Sequence, residues 1–459
     1  MGKTKGLKGF DVFLGMICIL FFLDTCAPMA AMGVTAITWA IIITLIFYIP
    51  SGLITAELGA AYPDDGGMYS WVKRAYGKRM GARVSWLYWL NNAIWIASVA
   101  SFFVGVLSAL FFPNIPFLLQ LGLMLIVVWV IVIVGFRPVD EAKWVSNTAA
   151  IVKLILAGGL ILCAGFFLVT NGKPANAFTW ADMKPSFDQS LTYLPALIYN
   201  FLGLEAMLTL AGHMKNPGKD IPKAVITNSI LVASLYIITT LTLLILIPTG
   251  NLNIVSGIID GFKVAIGSTL IGQIIIIVLG VAFLFTVVAQ TASWLVAASR
   301  MAAAASDDGE LPKLFGKRAK GHDAPIGALI LIGIVGTALI VLYGAMASSA
   351  EDLFWTLFSF VSVVYILPFL INYQGYLKLR KTDKETVRPF VFPGPPIFAW
   401  FFAHFAQLLL VFIIMLFFWV PGVPLDWVTI IMLGAGVIIS LVLGEYLTRN
   451  SLKKTDVKK

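Results

Sequence analysis

Residues 21–28, Phe21-Phe22-Leu23-Asp24-Thr25-Cys26-Ala27-Pro28, decide how this chain is read. They lie in the middle of an apolar stretch, 10–34, and about 20 mostly apolar residues are enough to cross a bilayer. A charge at that depth costs several kcal/mol unless it is paired or hydrated. Proline removes a backbone donor and clashes with the carbonyl four residues back, which here is that of Asp24 itself. An acid and a freed carbonyl thus coincide at mid-depth. The stretch reads as an interrupted membrane helix.

The rest of the chain agrees. It has 459 residues, 59% of them hydrophobic and 12% charged, with a mean hydropathy of +0.93. The charged share is about half that of an ordinary globular domain. No soluble fold of this size hides so much apolar surface, because growing cores split into domains with polar exteriors. A soluble enzyme, a disordered chain and a nucleic-acid module are excluded. Twelve candidate spans follow one another, near 10–34, 37–61, 83–112, 117–135, 143–169, 191–212, 224–247, 269–304, 326–345, 353–375, 396–419 and 425–447. The eighth is expected to run past the bilayer. Runs such as Ile274 to Ile277 lack the alternation of a transmembrane β-strand.

Basic residues are retained on the cytoplasmic side. With the amino terminus inside, 28 of the 32 Lys and Arg fall in inward segments, and only Lys173, Lys184 and Lys263 fall outside. The remaining one, Lys153, lies within the fifth span. Twelve spans with both termini cytoplasmic are therefore expected, in a multi-pass protein of the cell (inner) membrane. The net charge of +9 marks topology and lipid headgroup contact, with no nucleic-acid partner implied. Cys18, Cys26 and Cys163 lack metal-ligand spacing and a disulfide pattern. His213, His322 and His404 are scattered, so no catalytic cluster, metal or cofactor is expected.

Charges buried in spans point to function. Besides Asp24 these are Glu205 and Lys153, whereas Glu57 and Glu445, near span ends, are expected to face headgroups or loops. Gly203 precedes Glu205 inside Tyr199-Asn200-Phe201-Leu202-Gly203-Leu204, a second break with a carboxylate beside it. If the protein is two five-helix units of inverted topology, the first and sixth spans are equivalent positions. Paired interrupted helices there indicate a substrate site at the membrane midplane. The candidate site then includes Asp24, Thr25, Cys26 and Ala27 with Gly203 and Glu205.

Three inward stretches carry a resemblance. The first runs from Glu57-Leu58-Gly59 through Tyr62-Pro63-Asp64-Asp65-Gly66-Gly67 to Ala75-Tyr76-Gly77. The second joins Phe201-Leu202-Gly203-Leu204-Glu205 to Lys215-Asn216-Pro217-Gly218-Lys219-Asp220-Ile221-Pro222. The third runs from Ser299-Arg300 to Asp307-Asp308-Gly309-Glu310-Leu311-Pro312. Taken together they resemble the amino acid–polyamine–organocation transporter superfamily, over nearly the whole chain. As residues, the Pro and Gly of these stretches end and restart helices.

The resemblance implies a leucine-transporter-type fold: an all-α membrane protein with a 5+5 inverted repeat plus two extra helices. The units would be a tail at 1–9, a first repeat at 10–169, a second at 191–375, helices 11 and 12 at 396–447, and a tail at 448–459. By analogy with the arginine/agmatine antiporter type, Trp294 and Tyr199 would lie on the substrate path. Aromatic faces suit cations. Asn91 and Asn92 match pocket-wall positions, and adjacent helical residues cannot share one face. Glu205 would sense protons or gate. Lys153 would occupy the place sodium takes in sodium-coupled relatives. Members that bind whole amino acids carry glycine-rich backbone where this chain has Asp24. A fixed carboxylate there repels a substrate carboxylate and favours an amine.

The expected function is exchange of a small cationic amine or amino acid, with agmatine/putrescine foremost and tyrosine/tyramine next. A proton-coupled amino-acid symporter of the same fold is the alternative. Homodimerisation is left open.

Overall fold

The computed structural model describes residues 9–64, 66–137, 139–187, 189–206, 208, 216–321 and 323–456. Among them every regular element is helical. Eleven segments are long and apolar enough to cross a membrane, where a helix satisfies its backbone without water. The first span is a short helix α1 (Gly9–Leu20), a break, and α2 (Cys26–Ala30). There follow α3 (Thr35–Ala61), the short α4 (Met68–Tyr76), α5 (Lys78–Phe111), α6 (Phe117–Val134) and α7 (Val139–Asn171). After α8 (Leu194–Asn200) come α9 (Pro217–Leu246), α10 (Leu270–Asp307), α11 (Ile326–Gly344), α12 (Ala350–Thr382), α13 (Pro396–Phe418) and α14 (Trp427–Asp456).

The expected sixth span, 191–212, is represented by α8, which stops at Asn200. Its far end, with His213 and Lys215, lies outside the described residues, as do Asp65 and His322. As expected, α10 outruns the bilayer. Its 38 residues span about 57 Å at 1.5 Å per residue, against about 30 Å of hydrocarbon. It ends where the third motif places the stop. Gly309 adopts φ +75°, and Glu310 N–H reaches back to the Ala305 carbonyl at 2.8 Å, the bond of a glycine-terminated helix. The second motif behaves differently from expectation. Pro217 opens α9, but Pro222 sits inside it and does not restart a helix. Its clash falls on the carbonyl of Gly218, still in the first turn.

Helix α5 is central and packs on α4, α6, α10, α11, α12 and α14. Its Tyr88, Trp89 and Trp95 are among the largest fully buried side chains. Large apolar groups on α6, α7, α10, α13 and α14 face outward, including Leu118, Ile126, Val169, Leu270, Leu408 and Val442. Such a belt suits lipid contact. Within α3, Thr44–Tyr48 forms a wide π turn just before Pro50. The Tyr48 ring stacks on Phe201 at 4.7 Å, and Phe201 meets the edge of Tyr236 at 5.8 Å.

At the end of the molecule bearing the basic loops, Glu57 is fully buried and does not face headgroups. One oxygen takes Arg388 at 2.9 Å and Arg380 at 3.2 Å. The other takes the Tyr376 hydroxyl at 2.9 Å and the Phe392 N–H at 2.8 Å. The carboxylate is buried because neighbours from α12 and the chain after it replace its water. Glu445 pairs with Arg83 at 2.7 Å, with Arg449 at 2.5 Å and with Arg79. Removing one partner of a buried ionic cluster costs about 3 to 5 kcal/mol. Glu57→Ala is accordingly expected to lower the thermal unfolding midpoint of the detergent-purified protein, and an unchanged midpoint would contradict the pairing.

The first and third motifs meet nearby. Tyr69 of α4 donates to Asp308 at 2.7 Å or Glu310 at 2.8 Å, and Lys73 pairs with Asp308 at 2.6 Å and Glu310 at 2.9 Å. Burial alone would raise the Asp308 carboxyl, but hydrogen bonds from Lys73 and Tyr69 hold it below the usual range. Burial would lower Lys73, but its bonds to Asp308 and Glu310 hold it above its ordinary value. A depressed acid loses its contribution as pH falls through its folded value, and a raised lysine as pH rises through its own. Both groups thus stay charged from about pH 4 to about pH 10. In Asp308→Asn the level of transport is expected to change without any shift of its pH midpoint between about 5 and 8. The pH profile of uptake into liposomes checks this.

Candidate substrate site at the paired helix breaks

The first span leaves the helix at Phe21 and Phe22. Asp24 follows in a 3-10 turn, Leu23–Thr25. The interruption therefore begins before Asp24 and not between it and Pro28. Pro28 is the third residue of α2, where a first-turn N–H has no intrahelical partner to lose.

Breaking a helix in an apolar setting orphans the carbonyls at its end. Here each finds a donor. The Ile17 carbonyl takes Phe21 N–H at 3.0 Å. Cys18 O takes Lys153 Nζ at 2.7 Å and Phe21 O takes the same ammonium at 2.5 Å. Ile19 O takes the Trp294 indole N–H at 3.0 Å, and Leu20 O takes the Tyr236 hydroxyl at 2.8 Å. That hydroxyl in turn accepts from Phe22 N–H at 2.7 Å. Lys153 from α7, Trp294 from α10 and Tyr236 from α9 thus cap α1 from three sides. A cation at a helix carboxyl end also complements the helix dipole. Lys153 is buried, so it does not snorkel to a surface.

The third proton of Lys153 goes to Gln290 Oε1 in α10. The amide nitrogen of Gln290 lies 3.5 Å from Asp24 Oδ1. Asp24 Oδ2 has no partner among the described residues. Thr25 spans the two breaks, its hydroxyl lying 2.9 Å from Phe22 O and 2.5 Å from Asn200 Oδ1 at the end of α8. Cys26 Sγ points to Phe22 O at 3.6 Å, and the three cysteines are free thiols. Ala27 packs against Gly257, where an added Cβ would come within 2.8 Å of its own.

The second break turns on Gly203. Its φ of +104° suits glycine alone, and an added Cβ would meet the Trp294 ring at 2.8 Å. Glu205 follows, one oxygen accepting from Tyr88 at 2.9 Å and Tyr365 at 3.2 Å, the other without a partner among the described residues. Tyr199 and Trp294 do not touch as a pair of facing plates. Phe22 touches both, 6.2 Å from Tyr199 and 6.0 Å from Trp294. Trp95 lies 5.6 Å from Tyr199, and Tyr365 touches both Tyr199 and Trp294.

Asn91 and Asn92 flank the Tyr88–Trp95 stripe of α5. Asn91 shares its side with Ser98, seven residues on, which bonds to Phe354 O of α12. Asn92 shares its side with Ser85, which bonds to Met301 O of α10. Both are buried with an unpartnered amide oxygen, although Asn92 gives its nitrogen to Tyr88 O at 3.0 Å. The structure thus places Asp24, Thr25, Cys26, Lys153, Tyr199, Gly203, Glu205 and Trp294 at the two breaks, all of them buried. Phe22, Tyr88, Trp95, Asn200, Tyr236, Gln290 and Tyr365 join them. Of these, Gln290 had a signal, a polar side chain in an apolar run one turn before Trp294. No group of three or more His, Cys, Asp and Glu able to hold a metal occurs among the described residues.

Interrupted helices whose carboxylates each keep one unpartnered oxygen, inside a multi-pass helical bundle, are the mark of a membrane transporter. Residues 10–442 match the amino acid permease family, and the chain belongs to it. It is 35% identical, over 98% of its length and 96% of the relative's, to a probable agmatine/putrescine antiporter, AguD, of Lactococcus lactis subsp. lactis strain IL1403. It is 26% identical, over 85% of both chains, to an uncharacterized transporter of Legionella pneumophila subsp. pneumophila strain Philadelphia 1. It is also 25% identical, over 82% of its length and 76% of the relative's, to a glutamate/gamma-aminobutyrate antiporter of the same Lactococcus strain.

Gly203→Ala combines a left-handed backbone with a steric clash. Strain of this kind costs on the order of 1 to 3 kcal/mol. The variant is expected to melt earlier and to lose uptake, and wild-type uptake would show that the Gly203–Trp294 contact is dispensable.

Proposed function

We propose that the protein exchanges one cationic amine or amino acid for another across the cell membrane by alternating access. Agmatine against putrescine is the foremost pair. The observation that carries this is the state of Asp24. Among the described residues its basic neighbour is Lys153, which spends all three protons on Cys18 O, Phe21 O and Gln290, leaving Asp24 Oδ2 without a partner. The ammonium or guanidinium of a substrate completes it. Among the described residues around the breaks and on α5, the unpartnered acceptors are Asp24 Oδ2, Asn91 Oδ1, Asn92 Oδ1 and Glu205 Oε2, the unpartnered donors are Asn200 Nδ2 and Trp95 Nε1, and the Tyr48 hydroxyl can do either. A surplus of acceptors suits a ligand of N–H donors lacking a carboxylate. The name of the 35% identical relative supports the same substrate class.

Exchange follows from electrostatics. A carboxylate without a counter-ion in a closed, dry site is expensive. The empty carrier therefore returns only with another cation aboard. Asp24 holds the cation, the rings of Tyr199, Trp95 and Phe22 line its path, and Trp294 on Gly203 closes the way to Glu205. The supporting frame is twelve spans with cytoplasmic termini, in two inverted five-helix units at 10–169 and 191–375, followed by 396–447. Spans 1, 2, 6 and 7 rock against spans 3, 4, 8 and 9. The Glu57 and Lys73–Asp308 clusters then close the cytoplasmic side. Proton-coupled symport is the second reading, favoured by the unpartnered oxygen of Glu205.

Counterflow in liposomes separates the two. Labelled putrescine is expected to enter only when amine is present inside, whereas entry driven by a pH gradient alone establishes symport. Losing one charged hydrogen bond weakens binding by about 10- to 100-fold, so Asp24→Asn should raise the Michaelis constant for amines by that factor. Zwitterions outcompeting amines, with normal amine transport by Asp24→Asn, would sink the amine assignment.

A further inference from the structure

Gln290 is fully buried and lies between two charges that form no direct ion pair among the described residues. Its oxygen accepts from Lys153 Nζ, and its nitrogen faces Asp24 Oδ1 at 3.5 Å. An amide is suited to this place, because it accepts from a cation and donates to an anion while carrying no charge. A leucine would leave Lys153 one acceptor short, with Asp24 as the nearby acid. A glutamate would satisfy Lys153 but set a second carboxylate against Asp24.

We infer that Gln290 is a positioning residue that fixes the charge the substrate site presents, by holding Lys153 off Asp24 so that the carboxylate is left to the substrate. The inference rests on the amine-exchange reading and adds to it the determinant of charge selectivity. With Gln290 in place, the Lys153 ammonium is spent on the α1 carbonyls, and Asp24 acts on the ligand as a full negative charge. Without it, Lys153 closes on Asp24 and neutralises the counter-ion. With glutamate there, the site gains one negative charge and favours ligands with two positive ends.

The test uses full-length protein in liposomes and inhibition of labelled putrescine exchange by unlabelled putrescine, a dication, and butylamine, a monocation. Gln290→Leu is expected to weaken putrescine more than butylamine, changing the ratio of their inhibition constants by about tenfold. Gln290→Glu is expected to move that ratio the other way. A structural role alone would shift both constants by one common factor. Equal shifts in both variants, or none, while Asp24→Asn loses amine binding, would overturn the inference and leave the exchange reading intact. Asp24→Asn indistinguishable from wild type would overturn the exchange reading, and the inference with it. Should Gln290→Leu fail to fold, Gln290→Glu, which keeps the Lys153 contact, decides alone.

Discussion

The ammonium of Lys153 on the carbonyls of Cys18 and Phe21 is the contact on which the centre of this molecule depends. A bilayer-embedded helix can stop mid-membrane only if the carbonyls at its end find donors. A single cation serves two of them, and Trp294 and Tyr236 serve two more. With the ends satisfied, the chain is free to turn at Phe21 and Phe22 and to aim Asp24 inward. Lys153 thus works first as a structural cap. In the proposed exchange its effect on the substrate is indirect, because every proton it carries is already assigned.

The same economy explains why the site is short of donors. The two helix breaks expose backbone and short polar side chains, and the donors near the first break are consumed in repairing it. What remains unpaired is mainly carboxylate and amide oxygen. The proposed preference for cations would then be a property of the hydrogen-bond inventory as a whole, with Asp24 as its strongest member.

Much of this was legible in the sequence. Apolar runs of bilayer length located eleven of the spans, with ends up to seven residues off, and rare charges in those runs pointed to Asp24, Lys153 and Glu205. Other features were not legible, for physical reasons. The break in the first span sits before Asp24 because donors from α7, α9 and α10 cap α1 there, and sequence spacing carries no record of such distant partners. Glu57 looked interfacial because it lies near a span end, yet Arg380 and Arg388 lie more than three hundred residues away in the chain. Phe22, which touches both Tyr199 and Trp294, is one phenylalanine among 33. Gln290 offered only its polarity.

The π turn in α3 gives the two breaks a shared mechanics. An extra residue in one turn rotates everything beyond it by about 100° around the helix axis. It sets Tyr48 flat against Phe201, the first residue after α8. Phe201 rests on Tyr236, whose hydroxyl caps α1. Phe201 and Tyr236 therefore link one interrupted helix to the other, with Tyr48 of α3 stacked on the first of them. If spans 1 and 6 move together in the proposed cycle, these ring contacts are a route by which one break would follow the other before a ligand bridges them.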